Sequence, residues 1–239
     1  MLGGRMGGMS AARSYEWWDG LDDRTHVSWA PHGNVAKPGR AKFGSFDSVR
    51  AANGKLVVHW RTLREPLDGE SAVWRESPEQ TLAQVLLSSD KNTAVACADS
   101  AMRVGTLTRT QVSFVFSVMP RRIRRWERYL DERSDSGLES IVRVWLIDRD
   151  IPFVFHPTFT STGESDFLVG KSLVIETDGR DFHKSQAAVN RDRKRDNDLA
   201  IRGYIVIRWS YPMVMFDWAE CERRLLEHLA RGDHLRRVS

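Results

Sequence analysis

Between Ser165 and His183 the chain reads SDFLVGKSLVIETDGRDFH, and this run constrains the fold more than any other. Phe167, Leu168, Val169 and then Leu173, Val174, Ile175 are β-formers interrupted once, at Gly170-Lys171-Ser172, which predicts two antiparallel strands joined by a tight turn. Residues facing each other across such a pair have numbers of constant sum. Setting Asp166 against Glu176 therefore sets Val169 against Leu173 and leaves a three-residue loop, a common connection when Gly can supply a left-handed position. In that register both carboxylates share one face, whereas a two-residue loop would turn them to opposite faces. Two carboxylates with a backbone carbonyl and waters suit Mg²⁺, which prefers oxygen ligands. Acids at strand ends are also ordinary turn residues, so a metal site and a polar hairpin end both fit the run.

Composition narrows the setting. At 239 residues the chain has material for one large domain or two small ones. Its 36 Lys+Arg against 32 Asp+Glu give a formal charge of +4, too mild to imply a polyanionic partner without a look at where the charge lies. Cys97 and Cys221 are far apart and form neither a disulfide framework nor a zinc-ligand spacing. No stretch has the apolar length of a signal peptide core or a membrane span, so a cytoplasmic protein with no membrane partner is expected. The Gly- and Met-rich start, residues 1–13, predicts disorder.

Residues 14–120 predict a small mixed β/helical domain. THVSW at 25–29 and LVVHWRTL at 56–63 are candidate strands, separated by a Gly/Pro loop, HGNVAKPGR. His26, His32 and His59 show no metal-ligand spacing among themselves, and His59 between Val58 and Trp60 is expected to be structural. Ser77-Pro78 opens a helix, Asn92 is the expected cap of a second ending near Gly105, and Thr108 precedes a third.

RRIRRWERYLDER at 121–133 carries six Arg against three acids. A basic linker helix over 121–135 follows, with Arg121, Arg122 and Arg125 able to track a phosphate backbone beside Trp126; a solvated helix laced by internal ion pairs is the competing reading. A helix over 138–148 then buries Leu138, Ile141, Val142 and Trp145 and brings Glu139 to the edge of that face. Phe153–Phe155 supplies a strand, and the hairpin follows. A helix over about 184–202 places arginines on its sheet-facing stripe, where they require an anion: Asp192 or Asp196 within the helix, or a phosphate. Strand 204–209 and an amphipathic helix over 217–229 complete the order.

With these pieces assembled, residues 136–229, roughly the last two-fifths of the chain, resemble the PD-(D/E)XK nuclease superfamily, in the branch related to very-short-patch-repair (Vsr-like) endonucleases. The matching text is Glu139 on the leading helix, Asp166 opening SDFLV, IETDG at 175–179, His183, and NRDRKRDNDLAIRGYIVIRW at 190–209. The resemblance implies that Asp166 and Glu176 bind Mg²⁺, or Mn²⁺ in its place, with the Thr177 carbonyl as third ligand and Glu139 as a further acid on the metal side. It implies an acid/base role for His183 and phosphate clamping by Arg191 and Arg195. The usual lysine two places after the second acid is Asp178 here, and Lys184 is a candidate substitute. The stretch SPEQTLAQVLLSSDKNTAVACADSAMRVGTLT resembles the helical middle of proteins with a nuclease-like C-terminus and likeness to AbiEi-type antitoxins, though residues 1–76 hold no helix-turn-helix text.

The expected fold is thus α+β: a restriction-endonuclease-like mixed sheet flanked by helices over 136–239, preceded by the small mixed domain. The expected function is Mg²⁺-dependent hydrolysis of DNA; the alternatives are a non-catalytic regulator or antitoxin-like protein on a nuclease scaffold, and a nuclease acting on RNA.

Overall fold

The computed structural model describes residues 5–29, 56–60, 74–160, 163–179 and 186–238. The chain divides into two compact units, Met1–Ile141 and Val142–Ser239, the division falling inside a single helix, Gly137–Asp148. The predicted segments 14–120 and 121–135 thus lie together in the first unit.

The first unit contains a three-stranded sheet. Strand β1 (Arg5–Met6) runs antiparallel to β2 (Thr25–Trp29), which is parallel to β3 (Leu56–Trp60). The loop read at HGNVAKPGR and the end of the strand predicted over 56–63 lie outside the described residues. Three helices follow, Pro78–Ser88, Lys91–Arg103 and Arg109–Ser117. The Ser77 hydroxyl caps the first by accepting from the Gln80 N–H, with Pro78 in its first turn, and Thr108 and Gln111 close a reciprocal capping box on the third. The second is capped by Asp90 rather than the expected Asn92: the Asp90 carboxylate accepts from the Thr93 N–H at 3.1 Å, and Asn92 sits inside the helix.

The start of the chain departs from expectation. Gly8–Ser14 is helical, with Met9, Ala11 and Ala12 buried, because small side chains let this short helix approach β2 and β3 closely. Gly8 adopts φ +47°, and a Cβ there would lie 2.5 Å from His59 Nε2 and 2.6 Å from His26 Nδ1. Those two imidazoles are buried and hydrogen-bonded to each other, Nδ1 of His26 to Nε2 of His59, at 2.8 Å. The 121–135 segment is also not one helix. It forms a four-residue helix, Arg121–Arg124, and a 3-10 turn, Arg125–Tyr129, pinned by buried Ile123 and Tyr129.

The second unit is built on a mixed four-stranded sheet in the order β4-β7-β8-β9 and a small two-stranded sheet, β5 (Thr158–Phe159) with β6 (Gly163–Glu164). Strands β4 (Phe153–Phe155), β7 (Phe167–Val169) and β8 (Leu173–Asp178) are antiparallel neighbours, and β9 (Ile205–Ser210) runs parallel to β8. The hairpin register is the expected one, Val169 opposite Leu173 and Phe167 opposite Ile175, and Gly170 takes φ +63° in the three-residue loop. On one face Val174, Leu168 and Val206 pack with Leu199 of the Gln186–Ile201 helix and with Phe159. Trp209 of β9 meets Trp218 of the Trp218–Ala230 helix edge-on at 5.7 Å, and Trp218 meets Trp145 at 5.8 Å. The architecture is α+β, a mixed sheet with helices packed on it, and among the described residues no helix is long and apolar enough to cross a membrane.

Candidate active site

Extending the hairpin register by one residue puts Asp166 beside Glu176, at the mouth of the two inner strands. Parallel pairing of β8 with β9 sets Arg208 next to Glu176 in the same row, so alternation turns Glu176, Asp178 and Arg208 toward the face covered by the Gln186–Ile201 helix. From that helix comes Arg195. Its Nη2 lies 3.0 Å from Glu176 Oε1, donates to Ser165 Oγ at 2.8 Å and also donates to the Glu164 carbonyl.

Asp166 is held by Thr177, whose backbone N–H and hydroxyl both donate to Asp166 Oδ2, at 2.6 Å and 2.7 Å. Burial pushes the Asp166 pKa up, against these hydrogen bonds and the nearby His156 and Arg195, which favour the charged form. Burial also raises Glu176, and the Asp166 charge raises it further, while a hydrogen bond from Ser165 and the cations Arg195 and Arg208 pull the other way. Glu176 Oε1 is buried and has no hydrogen bond among the described residues. The ion pair with Arg195 is thus close but poorly aligned. Two like charges held in one buried place, one with an unsatisfied oxygen, form an all-oxygen donor set of the kind Mg²⁺ or Mn²⁺ takes.

Asp178 ends β8, its Oδ1 3.7 Å from Arg208 Nη1. Arg208 in turn grips Asp196 of the helix through Nε at 2.9 Å and Nη2 at 2.8 Å, which raises its own pKa above the usual guanidinium value. Of the arginines read on the sheet-facing stripe of this helix, Arg195 meets an anion of the sheet, Glu176, while Asp196 is taken, among the described residues, by Arg208 of β9 and not by an arginine of its own helix. Sequence reading did not single out Arg208, Ser165 or His156; a lone Arg between Ile207 and Trp209 was the available signal for the first. His156 takes φ +52°, with its Nδ1 3.6 Å from Glu164 Oε1, and its N–H donates to the Asp166 carbonyl at 3.0 Å.

The remaining candidates are placed as follows. His183 and Lys184 lie outside the described residues, and Arg191 belongs to the Gln186–Ile201 helix but its side chain lies outside them. Glu139 belongs to the first unit. There its Oε2 accepts from the Asp135 N–H at 2.9 Å and its own N–H donates to Ser136 Oγ at 3.2 Å, in the manner of a helix cap. Arg121, Arg122 and Arg125 also lie in the first unit, exposed, on the short helix and turn already described.

No protein-family model matches the chain, and no curated protein matches it. Among solved structures, the chain is similar to one described as "Homing Endonuclease I-Bth0305I Catalytic Domain", with 22% identity and a TM-score of 0.34, over 40% of this chain and 95% of that one.

Proposed function

We propose that the Val142–Ser239 unit is a Mg²⁺-dependent endonuclease that hydrolyses DNA phosphodiester bonds, by nicking or by cutting both strands. The observation that carries this reading is the buried Asp166 and Glu176 pair, in which each carboxylate is pushed toward its neutral form and Glu176 Oε1 lacks a hydrogen bond among the described residues. Groups buried at such cost cluster at functional sites. Asp166, Glu176 and the Thr177 carbonyl would hold the ion, which when bound polarises a phosphoryl oxygen and lowers the pKa of water. Thr177 fixes the Asp166 carboxylate through two hydrogen bonds, so that one acid is oriented before any ion arrives. Arg195 and Arg191 would bind non-bridging phosphate oxygens, Arg195 exchanging its contact with Glu176 for one with substrate. His183 would carry the proton as general acid/base, and Lys184 would supply positive charge near Asp178.

A second reading is favoured by one specific observation: Arg195 already places a cation against Glu176, as it would in a scaffold that binds nucleic acid or a partner without cutting. Supercoiled plasmid incubated with the full chain in Mg²⁺ and in EDTA separates the two. Cleavage only with Mg²⁺, lost in Asp166→Asn and in Glu176→Gln while plasmid binding persists or tightens, is the expected result, because neutralising either acid removes both the ion and its repulsion of phosphate. An inactive protein that gains cleavage on Asp178→Lys overturns the enzyme reading in favour of the regulator. Running the same assay on an RNA transcript decides the substrate.

A further inference from the structure

The first unit contains a concave, strongly basic surface that plays no part in the acid site. Ile123 and Tyr129 are buried and pin the 121–129 segment, whose arginines stay exposed. Arg122, Arg124 and Arg125 project from it. With Lys91, Arg109 and Arg128 they line a cavity of about 790 Å³. Glu127 is the single acid in that lining, and Trp126, half-buried, forms part of its wall.

Three features set this cavity apart from a merely solvated basic face. Arg122, Arg124 and Arg125 have no ion pair among the described residues, whereas elsewhere on the molecule surface arginines such as Arg133, Arg223 and Arg224 are paired to neighbouring acids. Arg109 opens the Arg109–Ser117 helix, whose first turn holds no acid; a cation at the positive end of a helix is electrostatically unfavourable unless an anion joins it. Lastly, the cavity is walled by aromatic as well as cationic groups. Tyr129 is flanked by the Lys91 ammonium at 4.7 Å and the Arg128 guanidinium at 4.6 Å from its ring, an arrangement that holds both cations in place around the rim.

We infer that this cavity binds a short single-stranded segment of nucleic acid, its phosphates on Arg122, Arg124, Arg125 and Arg109 and a base stacked on Trp126. The chemistry is that of single-strand recognition, a positive channel that follows the backbone plus an aromatic platform that any base can use. The volume fits one or two nucleotides and not a duplex. Because the site uses none of the acid-pair residues, it stands or falls separately from the nuclease reading.

The test is fluorescence polarisation of a labelled dT12 with the full chain in EDTA, where cleavage cannot intervene. Arg122→Gln/Arg125→Gln should weaken binding and reduce the salt slope by about 0.7 per lost phosphate contact. Trp126→Ala should weaken it by about 5- to 150-fold, with Trp126→Phe restoring most of the loss. Arg124→Gln gives an independent reading should the double variant fold poorly, and the thermal midpoint of each arginine variant should hold or rise as like-charge repulsion is relieved. Arg223→Gln, on an exposed arginine outside both sites, should bind dT12 as the wild type does, so loss of this site is distinguished from a general loss of positive charge. Unchanged dT12 affinity in the arginine and Trp126 variants overturns the inference. So does competition by inorganic phosphate or thymidine monophosphate at the same concentration as dT12, which would make this a small-anion site, and so does arginine-dependent capture by phosphatidylserine vesicles with no dT12 binding.

Discussion

Arg195→Ala should destabilise the second unit in the absence of Mg²⁺ and make it more responsive to Mg²⁺. The contact broken is a 3.0 Å ion pair whose side chains are 22% and 9% exposed. At an effective dielectric of about 20, two unit charges at that separation attract by roughly 5 to 6 kcal/mol. Desolvation of both ions takes back much of this, leaving a net coupling of about 2 kcal/mol. Removing one partner is worse than removing the pair, because it strands a buried charge; about 3 kcal/mol is expected for Arg195→Ala. Glu176→Gln should cost about 1 kcal/mol, since it also ends the repulsion with Asp166, and the double variant about 2 kcal/mol, so the cycle returns a coupling of about 2 kcal/mol. The assay is urea unfolding followed through the near-ultraviolet signal of Trp145, Trp209 and Trp218, which report on this unit. Mg²⁺ at about 100 times its Kd adds about 2.7 kcal/mol to any species that binds it only when folded. Arg195→Ala should bind Mg²⁺ more tightly than wild type, and Glu176→Gln should lose the response. A coupling below about 0.5 kcal/mol would refute the net stabilisation assigned to this pair and put it with exposed surface ion pairs. A Mg²⁺ response of Glu176→Gln equal to that of wild type would remove the metal from these carboxylates.

Two further predictions concern the first unit. Burial lowers both imidazoles of the His26 and His59 pair, taking His59 to about 4. A folded-state pKa below the unfolded value of about 6.5 means the unfolded chain takes up the proton first, so stability is full above pH about 6.5 and falls as pH drops toward about 4, by up to about 3 kcal/mol for His59; urea unfolding between pH 7.5 and 4.5 should show this slope, and a flat profile would contradict the buried neutral pair. Gly8→Ala should cost more than about 2 kcal/mol, since a Cβ there meets both imidazoles within 2.6 Å on a backbone at φ +47°; a thermal midpoint within two degrees of wild type would refute that packing.

What could be read from the text follows from the range of the forces involved. The β7–β8 hairpin was legible because its information is local: two triplets of β-formers, one Gly able to take φ +63°, and parity arithmetic that fixes which residues face each other. The Ser77 and Thr108 caps were legible for the same reason, since donor and acceptor lie three residues apart. Asn92 was expected where Asp90 is the cap: both residue types are good caps, two positions apart, and only the packed register of the helix separates them. The Gly8–Ser14 helix was illegible because small residues in a Gly/Met-rich text look like disorder unless the partner surface, here the His26 and His59 pair, is known.

Arg208 was missed for a different reason. It meets Glu176 only because β9 lies parallel to β8, and a parallel neighbour is reached through a crossover, here the Gln186–Ile201 helix, whose register leaves no local trace. The absence of lysine at 178 looks different with that pairing in view. Asp178 Oδ1 is 3.7 Å from Arg208, and Arg208 also acts on Glu176, so positive charge reaches this end of β8 from the adjacent strand instead of from two residues along the same one. Arg208 is tied through two hydrogen bonds to Asp196, which makes it a strap between sheet and helix with little freedom to follow a substrate. Arg195 makes its hydrogen bonds to neutral acceptors, Ser165 Oγ and the Glu164 carbonyl, which hold more weakly than a carboxylate, and its ion pair with Glu176 has no hydrogen-bond alignment. Of the two cations at the acid pair, Arg195 is therefore the one whose contacts a phosphate could take over.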